Sequence, residues 1–419
     1  MTRRLLAWLG IVASVAEILG LISYAGAAAG ESPSTHTLNT VLELALAHNP
    51  TMAGAQGYVR QSRGQQVAAG AYLNPSISGT AGRGSIRDPS TGVKITERTV
   101  TVEQPVEWQG KRRARQQAAD AGAAEASAAV EETRLNVIAD AKVGFYQVLL
   151  AQRDAELAGQ NLTMVEEVLR TVKARVAAGE ATPFETMKAT VEVQKSTKEV
   201  ARAQSALVVA RTRLDMVTAG MLGRQFSIQG DFEPLQPGLD TEALTAHAME
   251  QHPTLRRLGK LVEQAQFSAT LERESRIPNV TVQGSYHREA GDESITAGLS
   301  VPLPLWYRRQ GEIETALGAR HRAEAERLRV QNEITQAITQ HVQDVRTANE
   351  QLQVFEGGLL KQAEQTLRIA RVSFKQGAAS LLDLLDSQRV YRQTLLEYVQ
   401  ARADLSIALA RLERATGGI

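Results

Sequence analysis

Asp383 and Asp386 stand three residues apart in Ser380-Leu-Leu-Asp-Leu-Leu-Asp-Ser387. On a helix that spacing puts both carboxylates on one face, while Leu381, Leu384 and Leu385 take the other. Such a pair has two uses. Near a helix start it complements the dipole and nothing more. Repeated around an axis in a narrow aqueous passage, it makes a cation-selective constriction. Catalysis has no comparable support. The 419 residues contain no Cys, no G-x-S-x-G, no phosphate-binding glycine loop and no H-E-x-x-H. The seven His (36, 48, 247, 252, 287, 321 and 341) never fall at i, i+4 or as His-x-His. His287 lies on the polar face of an alternating segment, and one imidazole per chain does not make a metal site. The chain reads as a non-enzyme with no cofactor and no metal site.

The composition narrows what positions these acids. Aromatic residues make up only 4% of the chain. No proline lies between Pro105 and Pro183, and none follows Pro304. Proline-free tracts rich in Ala, Gln, Glu, Arg and Leu are what long helices look like. Residues 1–29 read as a secretory leader: Arg3 and Arg4, an apolar run, then Ala27-Ala28-Ala29 as a cleavage site. The alternative is a retained anchor. Removing the leader takes away Arg3, Arg4 and Glu17, so the net charge of +1 becomes 0. A neutral chain is a poor nucleic-acid binder. Past the leader no apolar run reaches 18 residues, so only a closed β-barrel is left as a way across a membrane.

The chain is written twice. Asn49-Pro50 matches His252-Pro253, and Pro75 matches Pro278, both at an offset of 203. Pro105 and Pro302 differ by 197, while Gly179/Gly377 and Leu214/Leu412 differ by 198. The expected organisation is a first repeat over 30–222, a linker over 223–238 and a second repeat over 239–419. Each repeat reads as helices, a strand pair, a long helix, a tight turn and a returning helix. Strands are expected at about 76–87 and 93–104, then at about 279–290 and 294–303. The alternation is cleanest in the second pair, where Val280, Val282, Gly284 and Tyr286 oppose Thr281, Gln283, Ser285 and His287. Period two with an apolar and a small-polar face fits a half-buried strand or a lipid-facing barrel strand.

The first long helix runs from about Gly110 to Ala178, roughly 100 Å at 1.5 Å per residue. Leu162, Val165, Leu169, Val172 and Val176 step by three and four, as do Leu360, Ala363, Leu367, Ala370 and Phe374. Such spacing reports knobs-into-holes packing of long helices. Both hairpins close through glycine, at Gly179 before Pro183 and at Gly377, with Arg175 and Arg371 in the turns before them. Basic last turns and a following Gly are ordinary helix-end chemistry. Four β segments cannot close a barrel, but three chains supply twelve strands and remove every edge. The fold class is therefore mainly α with a small β part, trimeric, with long helices leaving a barrel as a duct.

Both repeats pass from strand to helix through a Trp and clustered Arg. Trp108 and Trp306 suit a membrane–water boundary. Lys111, Arg112, Arg113 and Arg115 lie at a helix N-terminus, where the dipole disfavours cations. Acidic neighbours such as Glu107, or phosphates of inner-leaflet head groups, must compensate.

Three stretches carry a resemblance: QPVEWQGKRRAR (104–115), LPLWYRRQGEIETA (303–316) and SLLDLLDSQR (380–389). Over essentially the whole mature chain the layout resembles the TolC-type outer-membrane factor family. The first two stretches are similar to its heavy-metal cation efflux branch, the Czc/Cus type. Arg309 departs from that branch, which usually has Asn there. The resemblance implies a homotrimer in the outer membrane with a long periplasmic helical part. It further implies a periplasmic adaptor and an inner-membrane pump of the resistance-nodulation-division type as partners. The turns at Gly179–Pro183 and Gly377 would be the tips that meet the adaptor. The family's entrance acids match Asp383 and Asp386, whose counterparts at the 198 offset are Glu185 and Lys188, and Lys188 would tie Asp386 of a neighbouring helix. The competing reading is a periplasmic coiled-coil adaptor or scaffold without a pore. The exported solute is set by the pump and is not written in this chain.

Overall fold

A computed structural model describes residues 34–418 apart from 88, 91, 93, 224, 235–238 and 290. The expected leader lies outside the described residues. The described residues begin with β1 (Ser34–His36), α1 (Leu38–His48) and α2 (Pro50–Gly70), followed by β2 (Ser76–Arg87) and β3 (Lys94–Val106). The long helix α3 (Gln109–Ala177) and the returning α4 (Pro183–Val217) complete the first half. The short β4 (Phe226–Ile228) leads to α5 (Thr241–Gln251), α6 (Pro253–Glu274), β5 (Val280–Glu289) and β6 (Asp292–Ser300). The second long hairpin is α7 (Gln310–Val354), a π-helical turn (Phe355–Leu359), α8 (Leu360–Lys375) and α9 (Leu381–Thr416).

β2, β3, β5 and β6 form one antiparallel sheet in that order, so the two halves meet along β3 and β5. Among the described residues three cores hold the helices. Phe145, Tyr146, Leu214 and Phe226 centre the first, around the middle of α3. Ile338, Val342, Val345 and Leu405 centre the second, between α7 and α9. Val172, Leu367, Phe374 and Leu381 centre the third, near the hairpin turns. Of the heptad positions, Val165, Val172, Ala363, Leu367 and Phe374 are buried.

Two features depart from the sequence expectation. β1 pairs in parallel with β4, Ser34 opposite Phe226 and His36 opposite Ile228. Three-residue strands hold too few residues for any periodicity to register. The stretch expected to act as a linker thus supplies core, with Phe226 and Phe232 buried. The second long helix is also not continuous. Gly357-Gly358 falls inside it, and Gly358 adopts φ +128°, open only to glycine. The first long helix has Ala158-Gly159-Gln160 at that offset and runs through unbroken.

The N-caps of α2 and α6 show how the duplication is used. Asn49 accepts from the Thr51 N–H at 2.9 Å and donates to the Val217 carbonyl, at the end of α4, at 2.8 Å. His252 does the same in the second half. Its Nδ1 accepts from the Thr254 N–H at 3.2 Å, so Nε2 carries the proton and donates to the Arg414 carbonyl at 3.3 Å. Burial lowers the His252 pKa, because the charged ring would lose water and Nδ1 would lose its acceptor role. A depressed imidazole pKa gives stability that is present above the free value of 6.5 and lost as pH falls. Melting temperature is expected to drop from about pH 7.5 to about pH 5.5. His252→Asn, the residue of the first half, should flatten that part of the slope. An unchanged slope would show that His252 does not carry it.

Candidate functional site: a membrane sheet and the two ends of a duct

The register sorts the sheet into two faces. Ile77, Val102, Gly284 and Ala297 lie in one cross-strand row, Val100, Tyr286 and Ile295 in the next, and Val282 with Leu299 in a third. This face is exposed, with Ile295 at 85% and Leu299 at 71%. The other face carries Thr101 bonded to Ser285 at 3.0 Å and Thr99 bonded to His287 at 2.9 Å. Along β5 exposure alternates residue by residue, the apolar face open and the polar face half-buried. β2 and β6 are each paired on one side only. Among the described residues of a single chain, the apolar face is thus uncovered and two edges are open. Water is a poor solvent for the first, and the second invites another strand.

The strand-to-helix steps resolve the clustered cations. Arg112 donates to the Gly70 carbonyl at 2.8 Å and lies 4.2 Å over the Tyr72 ring. Arg115 donates to the Ala69 carbonyl at 3.1 Å and pairs with Glu107 at 2.5 Å. The cations unfavourable for α3 therefore sit on the last carbonyls of α2, the negative end of that dipole. Lys111 is tied to Asn279 at 3.2 Å. Of the four clustered cations, Lys111, Arg112, Arg113 and Arg115, only Arg113 stands exposed. Trp108 is half exposed with its indole N–H on Glu274 at 3.0 Å, and Trp306 is 89% exposed. In the second half Arg309 takes a left-handed conformation, φ +60°, just before α7, and Glu272 holds its guanidinium at 2.5 Å. The Asn usual in the resembling branch adopts that conformation more readily. Here the ion pair offsets the strain.

At the opposite ends of the hairpins both turns close in the same way. Gly179 (φ +79°) donates to Val176 and Glu180 to Arg175, while Gly377 (φ +74°) donates to Phe374 and Ala378 to Ser373. Each is a Schellman closure, which needs the left-handed residue. Pro183 opens α4. Arg175 stays in its own turn, 3.9 Å from Glu180, and its guanidinium also stacks 5.2 Å from the Phe374 ring of the other hairpin. Arg371 reaches back to the Met164 sulfur at 2.7 Å. The first contact braces the two turns against each other, and the second ties α8 to α3 farther from the turn. Sequence alone did not give them, since nothing local links Arg175 to Phe374.

The acids sit just beyond. Asp383 completes a capping box. Its carboxylate accepts from the Ser380 hydroxyl at 2.7 Å and the Ser380 N–H at 3.0 Å, and the Ser380 oxygen accepts from its N–H. Those donors hold the carboxyl below the usual range. Asp386 pairs with Arg389 one turn on. Asp386 and Lys188 line one cleft of about 660 Å³ between α4 and α9, but within a chain they do not meet. Lys188 lies 5.1 Å over the Phe184 ring instead, and Glu185 stays outside the cleft. The cleft floor is a polar layer across three helices: Gln388 donates to Asn161 at 2.9 Å and Asn161 to Ser196 at 3.0 Å. A polar layer in a coiled-coil seam fixes register at a cost in stability. Heptad counting passes over it, because Asn161 and Ser196 fall outside the apolar steps.

Comparison with known proteins agrees with this geometry. The sequence model of the outer membrane efflux protein family matches residues 41–220 and again 244–418. The cobalt-zinc-cadmium resistance protein CzcC of Cupriavidus metallidurans is 25% identical over 389 residues, 92% of this chain and 91% of that one. The CmeC outer membrane channel of Campylobacter jejuni superposes with a TM-score of 0.77 at 17% identity, over 94% of this chain and 91% of its own. CusC, solved in a study of transmembrane channel formation, gives 0.75 at 15% identity, over 92% and 93%. With both halves matched and the fold shared along nearly its whole length, the chain belongs to the outer membrane efflux protein family, a family of outer-membrane channels.

Proposed function

We propose that three copies of this chain form a passive duct through the outer membrane and periplasm, exporting metal cations handed over by an inner-membrane pump and a periplasmic adaptor. One observation carries the reading: the exposed apolar face and open edges of the sheet. Three four-stranded sheets close into twelve strands with no edge left. Strands of about ten residues, rising about 3.4 Å each and tilted about 40°, cover the roughly 25 Å apolar band of an outer-membrane barrel. Each repeat, 30–222 and 239–419, then contributes two strands and one helical hairpin, joined through 223–238. The chemistry is transport without catalysis, and selection of the solute belongs to the pump. The cation assignment rests on the similarity to CzcC, whose name records cobalt, zinc and cadmium.

The hairpin turns are the adaptor-docking tips in this reading, and Asp383 and Asp386 ring the entrance. Three chains bring six carboxylates to one axis. Glu185 and Lys188 belong to the same constriction, with Lys188 facing Asp386 of a neighbouring chain.

The barrel is tested on its two faces. Val282→Arg or Leu299→Arg places a charge in lipid and should cost about 2–4 kcal/mol near mid-membrane. Gln283→Arg, one residue away, faces the lumen and should be tolerated. Trimer yield in outer-membrane fractions reads both, and equal yields from all three would remove the barrel.

The tips are tested at Gly377. Valine there meets the left-handed penalty of about 1–2 kcal/mol, so crosslinking to the adaptor should fall while trimers still assemble. Undiminished crosslinking would place docking elsewhere.

The entrance is tested by separating cap from charge. Asp383→Gln keeps an acceptor at the third position of the capping box, and Asp386→Asn removes the second charge. Trimers carrying both should lose block by multivalent cations in single-channel recordings. Block as in wild type would reduce these acids to helix-start residues.

A further inference from the structure

We infer that the strand ends farthest from the helices carry a phosphate-binding girdle on the lipid-facing side, formed by Arg83, Arg98 and Arg288, and that its ligand is the phosphorylated glycolipid of the outer leaflet. The inference rests on the barrel reading above. In the register, Ala81, Arg98, Arg288 and Glu293 form one cross-strand row, and Arg83 stands opposite Thr96 in the next. Counting by twos along each strand puts these side chains on the same face as Ile77, Val100, Val102, Tyr286, Ile295 and Leu299. All three arginines are exposed.

Two facts single them out. Arg98 and Arg288 are direct cross-strand neighbours, an arrangement that like charges disfavour. Arg288 has Glu293 at 3.5 Å, whereas Arg83 and Arg98 have no acidic partner among the described residues. The opposite face at the same level has the opposite sign. There Glu97, Glu289 and Asp292 form a row, with His287 3.5 Å from Glu289 and 3.8 Å from Glu97. Charges that served only solubility would mix on both faces. Here three arginines and one glutamate, Glu293, point outward, and Glu97, Glu289 and Asp292 point inward, an excess of cations outside and of carboxylates inside that matches anions outside and a cation-conducting lumen inside.

The spacing fits as well. Six residues separate the Arg98–Arg288 row from the Val282–Leu299 row, about 20 Å along the strands. The apolar band is thus bordered by Trp108 and Trp306 at one end and by guanidinium groups at the other. A guanidinium binds phosphate with two parallel hydrogen bonds, which a glycolipid carrying two phosphates can satisfy on neighbouring strands.

The test titrates the detergent-purified full chain with diphosphoryl lipid A, with the same lipid stripped of phosphate, and with inorganic phosphate, reading the temperature of trimer dissociation. Diphosphoryl lipid A should raise it saturably and the other two should not. Arg98→Gln should weaken the apparent affinity roughly fivefold, and Arg98→Gln with Arg288→Gln roughly twenty-five-fold. Arg98→Lys should retain most of the charge effect and lose the paired hydrogen bonds. Equal response to the stripped lipid or to inorganic phosphate overturns the inference, as does equal affinity of Arg98→Gln and wild type. Failure of the barrel reading shows separately, as a wild-type chain that stays monomeric before any lipid is added.

Discussion

A sheet with one apolar face and two open edges cannot be finished by the chain that makes it. This constraint organises the molecule. Among the described residues, β2 and β6 are each paired on one side only, and Ile295, Leu299 and Trp306 stand largely exposed. In the proposed trimer lipid covers the face and another chain's strand covers each edge. Everything else follows from having to leave such a sheet. The two steps from strand to helix must turn the chain through a boundary in a few residues, and they do so with aromatic rings and guanidinium groups anchored to neighbouring helix ends.

The helix dipoles explain why those steps carry so much positive charge. Arg112 and Arg115 stand at the wrong end of α3 and the right end of α2. Glu272 and Glu274 stand at the wrong end of α6 and are held by Arg309 and the Trp108 indole. Each half therefore ties a strand exit to the end of a preceding helix, α3 to α2 and α7 to α6. At the opposite ends the same economy holds. Arg175 closes its own turn and braces the other hairpin through Phe374.

Much of the architecture was legible in the sequence because it is periodic or punctuated. Alternation marked β5 and β6, steps of three and four marked the helical seams, and Gly179 and Gly377 marked turns that require a left-handed residue. What stayed hidden is what pairs residues far apart in the chain. β1 and β4 are three residues each and exist only because Phe226 finds a core built by α3 and α4. The π turn at Phe355–Leu359 left only Gly357-Gly358 as its signal, easily discounted in a proline-free tract. Asp383 and Asp386 were legible as helix-start residues, but their partners within the chain, Ser380 and Arg389, were not.

The most direct test of the trimeric barrel uses the absence of cysteine from the chain. One Cys is placed on the polar face of β2, at Ser78 or Thr80, and one on the polar face of β6, at Thr296 or Gly298. Within a chain β2 and β6 are three strand steps apart, roughly 14 Å, too far for a disulfide, whose Cα atoms lie within about 7 Å. Oxidation of membranes carrying a matched pair should give a covalent three-chain species on a non-reducing gel. If every pairing leaves single chains only, β2 and β6 do not meet across a subunit boundary, and the closed barrel is wrong.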